Sequence, residues 1–255
     1  MMTFISCAKT MTARSRLTFP FVSVPRFETE ARENAMAMVQ FGAEELEKLL
    51  RISPKLAAEN RLRYHDFLSP GEPCLPALAA YTGIVFKRIH PQDFTEEDFV
   101  YAQEHLLIAS FLYGLLRPLD GIRNYRMEGD VRLPERGDVT MFDFWKPLLT
   151  DFLVGEVRSK GNVLVNLASG EMKELFDWKK VCGEVQVVTP EFYVRKGNRL
   201  VTVVVYAKMC RGEMTRYILK RRIERAEDLK AFGWEGFAYD EAASVGGRMV
   251  FVNQG

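Results

Sequence analysis

Leu46-Glu47-Lys48-Leu49-Leu50-Arg51-Ile52-Ser53-Pro54-Lys55-Leu56-Ala57 holds two helical patterns separated by three residues. Leu46, Leu49 and Leu50 fall on one stripe of a helix expected over Ala43 to Leu50. Ser53 supplies an N-cap for the next helix, and Pro54 takes its first position, where a fixed φ and a missing N–H cost little. The pattern predicts a helical hairpin over about residues 43–63, with Ile52 packed inward at the turn. Free backbone N–H groups and the positive end of the second helix suit an anion there, and Arg51 and Lys55 add charge.

This arrangement resembles a helix-hairpin-helix, a motif whose turn holds a DNA phosphate. Arg51 and Ser53 stand where that motif usually carries glycines, so a plain helical hairpin is the alternative. Working outward, Thr3 to Ser6 is expected as a short strand, and Thr12 to Phe27, with Pro20 and Pro25, as an extended arm. Glu28 to Gln40 reads as a helix, Ser69 to Pro76 as a connection and Pro76 to Tyr81 as a further helix. Thr95 caps a helix with an acidic first turn, predicted to continue through Leu112 and to stop at Tyr113-Gly114.

The second half is richer in strands, at Val163 to Leu167, Val185 to Val188 and Met249 to Val252. Phe192 to Arg195 and Leu200 to Tyr206 read as a hairpin about Lys196-Gly197-Asn198, followed by a basic helix over Met214 to Arg225. The expected fold class is therefore mixed α/β (α+β). No internal linker is long enough to divide residues 1–255, so a single compact domain is expected.

Apolar residues make up 47% and charged residues 27%, ordinary values for a chain that buries its own core. No stretch of about 18 uncharged apolar residues occurs, and the N-terminus lacks a secretory pattern, so a cytoplasmic protein without membrane contact is expected. Cys7, Cys74, Cys182 and Cys210 are scattered, and three histidines do not complete a metal-ligand cluster. No metal and no cofactor are expected. Net charge is only +1, but its distribution is uneven. Arg195 to Lys230 holds eleven basic and four acidic residues, whereas Asp93 to Glu104 holds five acidic residues and no lysine or arginine. A near-neutral chain can thus present a basic face that attracts a phosphate backbone.

Three further places carry cations in a suggestive setting. Lys9 follows the first strand in Ser6-Cys7-Ala8-Lys9-Thr10. Arg117, Arg123 and Arg126 crowd a segment bounded by Tyr113 and Tyr125, a mixture suited to phosphates and bases or to a surface turn pinned by ion pairs. If the basic helix reached back to Lys208, then Lys208, Arg211, Thr215 and Arg222 would share one arc, although Gly212 weakens that helical turn. No nucleophile elbow, phosphate loop or zinc-protease motif is present. His65-Asp66 and Asp240-Glu241 are the candidate acid–base groups.

At these same places the chain resembles the YaaA-like peroxide-stress family of bacterial proteins. The matching blocks include Ser6-Cys7-Ala8-Lys9-Thr10, Arg51 to Ala57, Arg63-Tyr64-His65-Asp66 and Asp93 to Phe99. They continue through Leu112 to Asp120, Tyr125-Arg126-Met127-Glu128, Asn166 to Ser169, Tyr206-Ala207-Lys208, Arg211-Gly212 and Gly236 to Asp240. The resemblance spans almost the whole chain. It implies the family's own fold with a helix-hairpin-helix element and a basic cleft, binding of double-stranded DNA, and protection against peroxide and free iron. The phosphate contacts it implies are Lys9, Arg51, Lys55, Arg117, Arg126, Lys208, Arg211 and Arg216. A monomer is expected.

Two other readings compete. One is an enzyme on nucleic acid or a nucleotide, lyase- or glycosylase-like, with Lys9 as nucleophile and Asp66 or Asp240 as acid–base partner. The other is an iron-homeostasis protein acting through a protein partner. Cys7 replaces the family's usual proline, and a thiol beside Lys9 would be oxidisable if its pKa were lowered; a small buried residue is the alternative.

Overall fold

The chain begins with β1 (Met2–Ile5), all four residues buried. In the computed structural model, which describes residues 1–67, 69, 71 and 74–255, an arm then leads to α1 (Glu28–Val39), α2 (Ala43–Leu50) and α3 (Pro54–Phe67). Residues 70, 72 and 73 of the connection expected over 69–76 lie outside the described residues. Next come β2 (Leu75–Pro76), α4 (Ala77–Ala80), α5 (Ile84–Ile89) and α6 (Glu96–His105). Helix α6 passes directly into β3 (Leu106–Ser110), followed by β4 (Gly114–Leu116) and β5 (Gly121–Ile122). The second half forms α7 (Met141–Ser159), β6 (Val163–Asn166), α8 (Trp178–Glu184), β7 (Gln186–Lys196) and β8 (Arg199–Val201). It ends with α9 (Val204–Arg221), β9 (Gly233–Trp234), β10 (Phe237–Tyr239) and β11 (Arg248–Asn253).

A mixed sheet runs in the order β4-β3-β1-β6-β7-β11-β10-β9, with β8 paired to β7. Its centre is parallel: β1 lies between β3 and β6, and β7 between β6 and β11. Antiparallel pairs close both margins, β3 with β4 on one side and β11-β10-β9 on the other. Strands covered on both faces are nearly continuous apolar runs, which explains MTFI in β1 and LLIAS in β3, where Thr3 and Ser110 are the buried polar exceptions. Helix α7 packs on β4 and β6, α8 and α9 on β7, and α5 and α6 on α9.

Several expectations change here. The helix capped by Thr95 stops at His105, because the next five residues are a fully buried strand and not further helical turns. Periodicity cannot separate a short, wholly apolar strand from a buried helix. The expected strand Val185 to Val188 and the first hairpin strand Phe192 to Arg195, either side of Pro190, are one strand, β7, and the expected second hairpin strand ends at Val201. Val204-Val205-Tyr206 instead open α9, which runs unbroken through Gly212. Helix α7 adds to the expected elements: Thr140 caps it by accepting from the Asp143 amide at 3.1 Å, and Met141, Trp145, Leu149 and Leu153 repeat every four residues and are all buried. Its Trp145 donates to the Phe111 carbonyl at 2.8 Å. A side chain at Gly114 (φ +72°) would meet the Trp145 ring at 2.8 Å, so that turn needs glycine for both conformation and space.

Helices α2 and α3 form as the opening stretch predicts, α3 reaching Phe67. Arg51 ends α2 in the left-handed region (φ +51°), the conformation that a glycine would adopt without strain. Ser53 accepts weakly from the Leu56 amide at 3.4 Å.

Candidate functional site

Strands β1 and β6 are neighbours, but the chain leaves them in opposite directions: from β1 toward β3, and from β6 toward β7. Their following segments must therefore part at the carboxyl edge of the sheet, the place where open α/β sheets form ligand crevices. A cavity of about 450 Å³ lies there, bounded by Ser6 to Thr10 after β1 and by Leu167, Ser169, Glu171 and Met172 after β6. The start of α5, the segment 125–128 and one face of α9 complete it.

The cavity has two chemically distinct parts. Phe86, Phe111, Tyr125, Leu167 and Met172 are buried and make an apolar, largely aromatic floor. Lys9, Thr10, Glu171 and Lys208 are exposed at the rim, with Arg126, Glu128 and Arg211 half-buried below them. The Tyr125 hydroxyl is held by the hydroxyls of Tyr81 and Ser110, each at 2.7 Å. Burial pushes both tyrosine hydroxyls well above the ordinary phenol value, so they remain neutral hydrogen-bonding groups.

Charge around the rim is shared unevenly. Glu128 accepts from Lys9 Nζ at 2.9 Å and from Arg126 Nε at 2.8 Å, while Arg126 also donates to the Lys9 carbonyl at 3.3 Å. The Tyr64 hydroxyl on α3 donates to the Arg126 carbonyl, fixing this segment against the helical hairpin. Lys208 and Arg211 differ. Among the described residues, neither side chain has an ion-pair or hydrogen-bond partner, and the Arg211 Nε is fully buried. Burial pulls the Arg211 guanidinium below its ordinary value, only partly offset by the charge of Glu191. A half-buried cation without a partner is an unusual arrangement, since desolvation of a charge is costly.

Gly212 sets this geometry. A Cβ there would stand 2.4 Å from the Val85 carbonyl oxygen and 2.5 Å from Arg88 Cβ. The glycine that weakened the sequence case for a continuous helix is what lets α9 lie directly on α5, bringing Arg211 beside Val85 at the cavity wall.

Of the eight expected phosphate contacts, Lys9, Arg126, Lys208 and Arg211 line the cavity. Arg51 does not line it, but pairs with Asp130, next to the rim segment. Lys55 is exposed at the start of α3. Arg117 is a structural tie, donating to the Gln103 carbonyl at 2.8 Å and pairing with Glu156. Arg123 donates to the Phe67 carbonyl at 2.7 Å. Arg216 grips Asp93 (2.7 Å) and donates to the carbonyls of Ile89 and His90, so it joins α9 to the turn before α6. The arc expected on α9 also breaks: Thr215 is buried against the Arg211 carbonyl, and Arg222 ends the helix on Asp98.

The acid–base candidates are not brought together. Asp66 is exposed on α3, and Asp240 pairs with Arg195 at 3.3 Å and accepts from the Ala243 amide; neither lines the cavity that Lys9 borders. The carboxylates that do line it, Glu128 and Glu171, escaped the sequence reading, although Glu128 lies in a quoted block. Glu171 is pushed up by burial and pulled back by Lys9. Cys7 also lines the cavity, but its thiol is pushed up to about 12, first by burial and then by Glu128 and Glu171. That is opposite to the lowered pKa a peroxide-sensing thiolate requires.

No helix among the described residues is long and apolar enough to cross a membrane. The chain is 64% identical over 251 residues to a UPF0246 protein of Phocaeicola vulgatus, covering 98% of each. A UPF0246 protein of Bacteroides fragilis is 60% identical, covering 99% of this chain and 98% of its own. One from Clostridium beijerinckii is 36% identical, with 99% and 97% covered. The model of the family described as peroxide stress protein YaaA matches residues 1–243, and the chain belongs to that family.

Proposed function

We propose that this peroxide-stress protein acts by binding double-stranded DNA in the cytoplasm, as a monomer, with the rim of the β1/β6 cavity holding the phosphate backbone. The observation that carries this reading is the Arg211 guanidinium beside Lys208 at the cavity wall, neither with an ion-pair or hydrogen-bond partner among the described residues. A phosphate oxygen would supply the missing acceptor, and a guanidinium is well shaped to take one. Lys9 and Arg126 extend the positive rim, and Arg51 and Lys55 at the α2–α3 turn continue it past Asp130 as a helix-hairpin-helix contact. Backbone binding of this kind releases condensed counterions from the duplex. Displacing ferrous ion among them would limit iron-dependent damage when peroxide rises.

Fluorescence anisotropy with a duplex oligonucleotide at two salt concentrations tests the proposal. Wild type is expected to bind with a steep salt dependence. The Lys208→Ala/Arg211→Ala variant should bind more weakly, its log–log salt slope shallower by about 2. No binding by wild type at low salt, or equal binding by the folded variant, overturns the reading.

A further inference from the structure

Backbone contacts use only the rim, and leave the floor of the cavity without a purpose. Duplex phosphates need cations on an open surface. They do not need a cavity of about 450 Å³ floored by Phe86, Phe111, Tyr125, Leu167 and Met172. That size falls within the range of pockets that enclose small molecules. A site for phosphate alone is also a poor account of the walls, because Glu128 and Glu171 would repel it. The complement to this surface carries three features: an anionic group for Lys208 and Arg211, a flat apolar ring for the floor, and N–H donors for the carboxylates.

We propose that the cavity is a nucleotide-unit site: the 5′-phosphate lies against Lys208 and Arg211, and the base enters the aromatic floor with its N–H groups toward Glu171. The unit comes either from a free nucleotide or from a strand with one residue turned out of the stack. The inference rests on the phosphate reading of the rim and adds the base. Glu128 is already engaged by Lys9 and Arg126, which leaves Glu171, with no hydrogen-bond partner among the described residues, as the open acceptor. The neutral hydroxyls of Tyr125 and Ser169 offer further polar contacts without adding charge.

The experiment titrates the intact protein with AMP, GMP, CMP and dTMP, with ribose 5-phosphate as the base-free control, by isothermal calorimetry. At least one nucleotide is expected to bind at least about fivefold more tightly than ribose 5-phosphate, the smallest gain expected of one stacked base. Ile84→Trp, which places a large ring at the half-buried start of α5, should abolish that preference and leave ordinary duplex binding at the rim intact. Tighter binding of a duplex with one base opposite an abasic position than of a fully paired duplex would identify a strand as the source. A base preference with equal duplex affinities would identify the free nucleotide. No base preference for any nucleotide, together with no preference for the unpaired base, overturns the nucleotide site. That result can coexist with salt-sensitive duplex binding, so the two proposals fail separately.

Discussion

The two halves of α9 carry similar charge and meet opposite fates. Near its start, Lys208 and Arg211 line the cavity without an ion-pair or hydrogen-bond partner among the described residues. Toward its end three cations are claimed by carboxylates, Arg216 by Asp93, Lys220 by Asp98 at 2.6 Å, and Arg222 by the same Asp98 at 2.7 Å, while Arg221 lies over the Tyr217 ring. The acceptors belong to the acidic stretch 93–104, which folds against precisely the end of the helix where positive charge accumulates. Counting lysines and arginines along the chain marked the whole segment as basic. Only the pairing separates them: one half is a structural clasp, and the other forms no ion pair among the described residues.

The largest expected effect comes from undoing the clasp. Asp98 is 5% exposed, occupies the third position of α6 and receives both Lys220 and Arg222. Burial alone would raise its carboxyl, but hydrogen bonds from Lys220, the Thr95 amide and Arg222 outweigh it and hold the value at about 2. Asp98→Ala should cost about 3 kcal/mol in chemical denaturation, from the lost cap and the stranded cations. Because the folded-state pKa is depressed, the contribution is present above about pH 4, the ordinary Asp value, and is lost as pH falls toward about 2. Acid titration of stability in wild type should therefore show a slope in that window which Asp98→Asn flattens.

The next effect tests the junction between the halves. Gly212→Ala forces a methyl group onto the Val85 carbonyl, and should cost about 2 kcal/mol by pushing α9 off α5. It should weaken duplex binding as well, since Arg211 moves with the helix. Equal stability of wild type and Gly212→Ala would refute the close approach.

The smallest effect has the sharpest sign. Arg211→Met should raise stability by about 1 kcal/mol, because it removes a desolvated cation with no hydrogen-bond partner among the described residues, while weakening duplex binding. Arg216→Met should lower stability by about 1 kcal/mol through loss of its Asp93 pair, with little change in binding. Thermal denaturation of the two variants side by side separates the halves. If both shift in the same direction, the contrast drawn from α9 is wrong.

Local signals proved legible where one element carried its own evidence. Thr95 caps its helix as expected, accepting from Asp98 N at 3.3 Å, and the structure adds the return bond from Thr95 N to Asp98 Oδ2 at 3.0 Å. Helix α2 spans the expected Ala43–Leu50, and four of the eight expected cations do line one cavity. Strand β3 was not legible: Leu106 to Ala109 is apolar on both sides because the sheet buries both faces, which removes the alternation that identifies a strand. The misreading had consequences, since β3 flanks β1 and helps fix the direction in which the chain leaves it.

The sequence by itself determined the mixed α/β class, the caps and turns, and the family, since each rests on residues close together or on the order of motifs along the chain. The tertiary structure decided which charges remain available. Glu128 reaches Lys9 across 119 positions and Asp98 reaches Arg222 across 124, while among the described residues no carboxylate pairs with Arg211. A cation's availability depends on what the fold sets within a few ångströms of it, and residues that far apart in sequence are neighbours only once the sheet and its helices have closed.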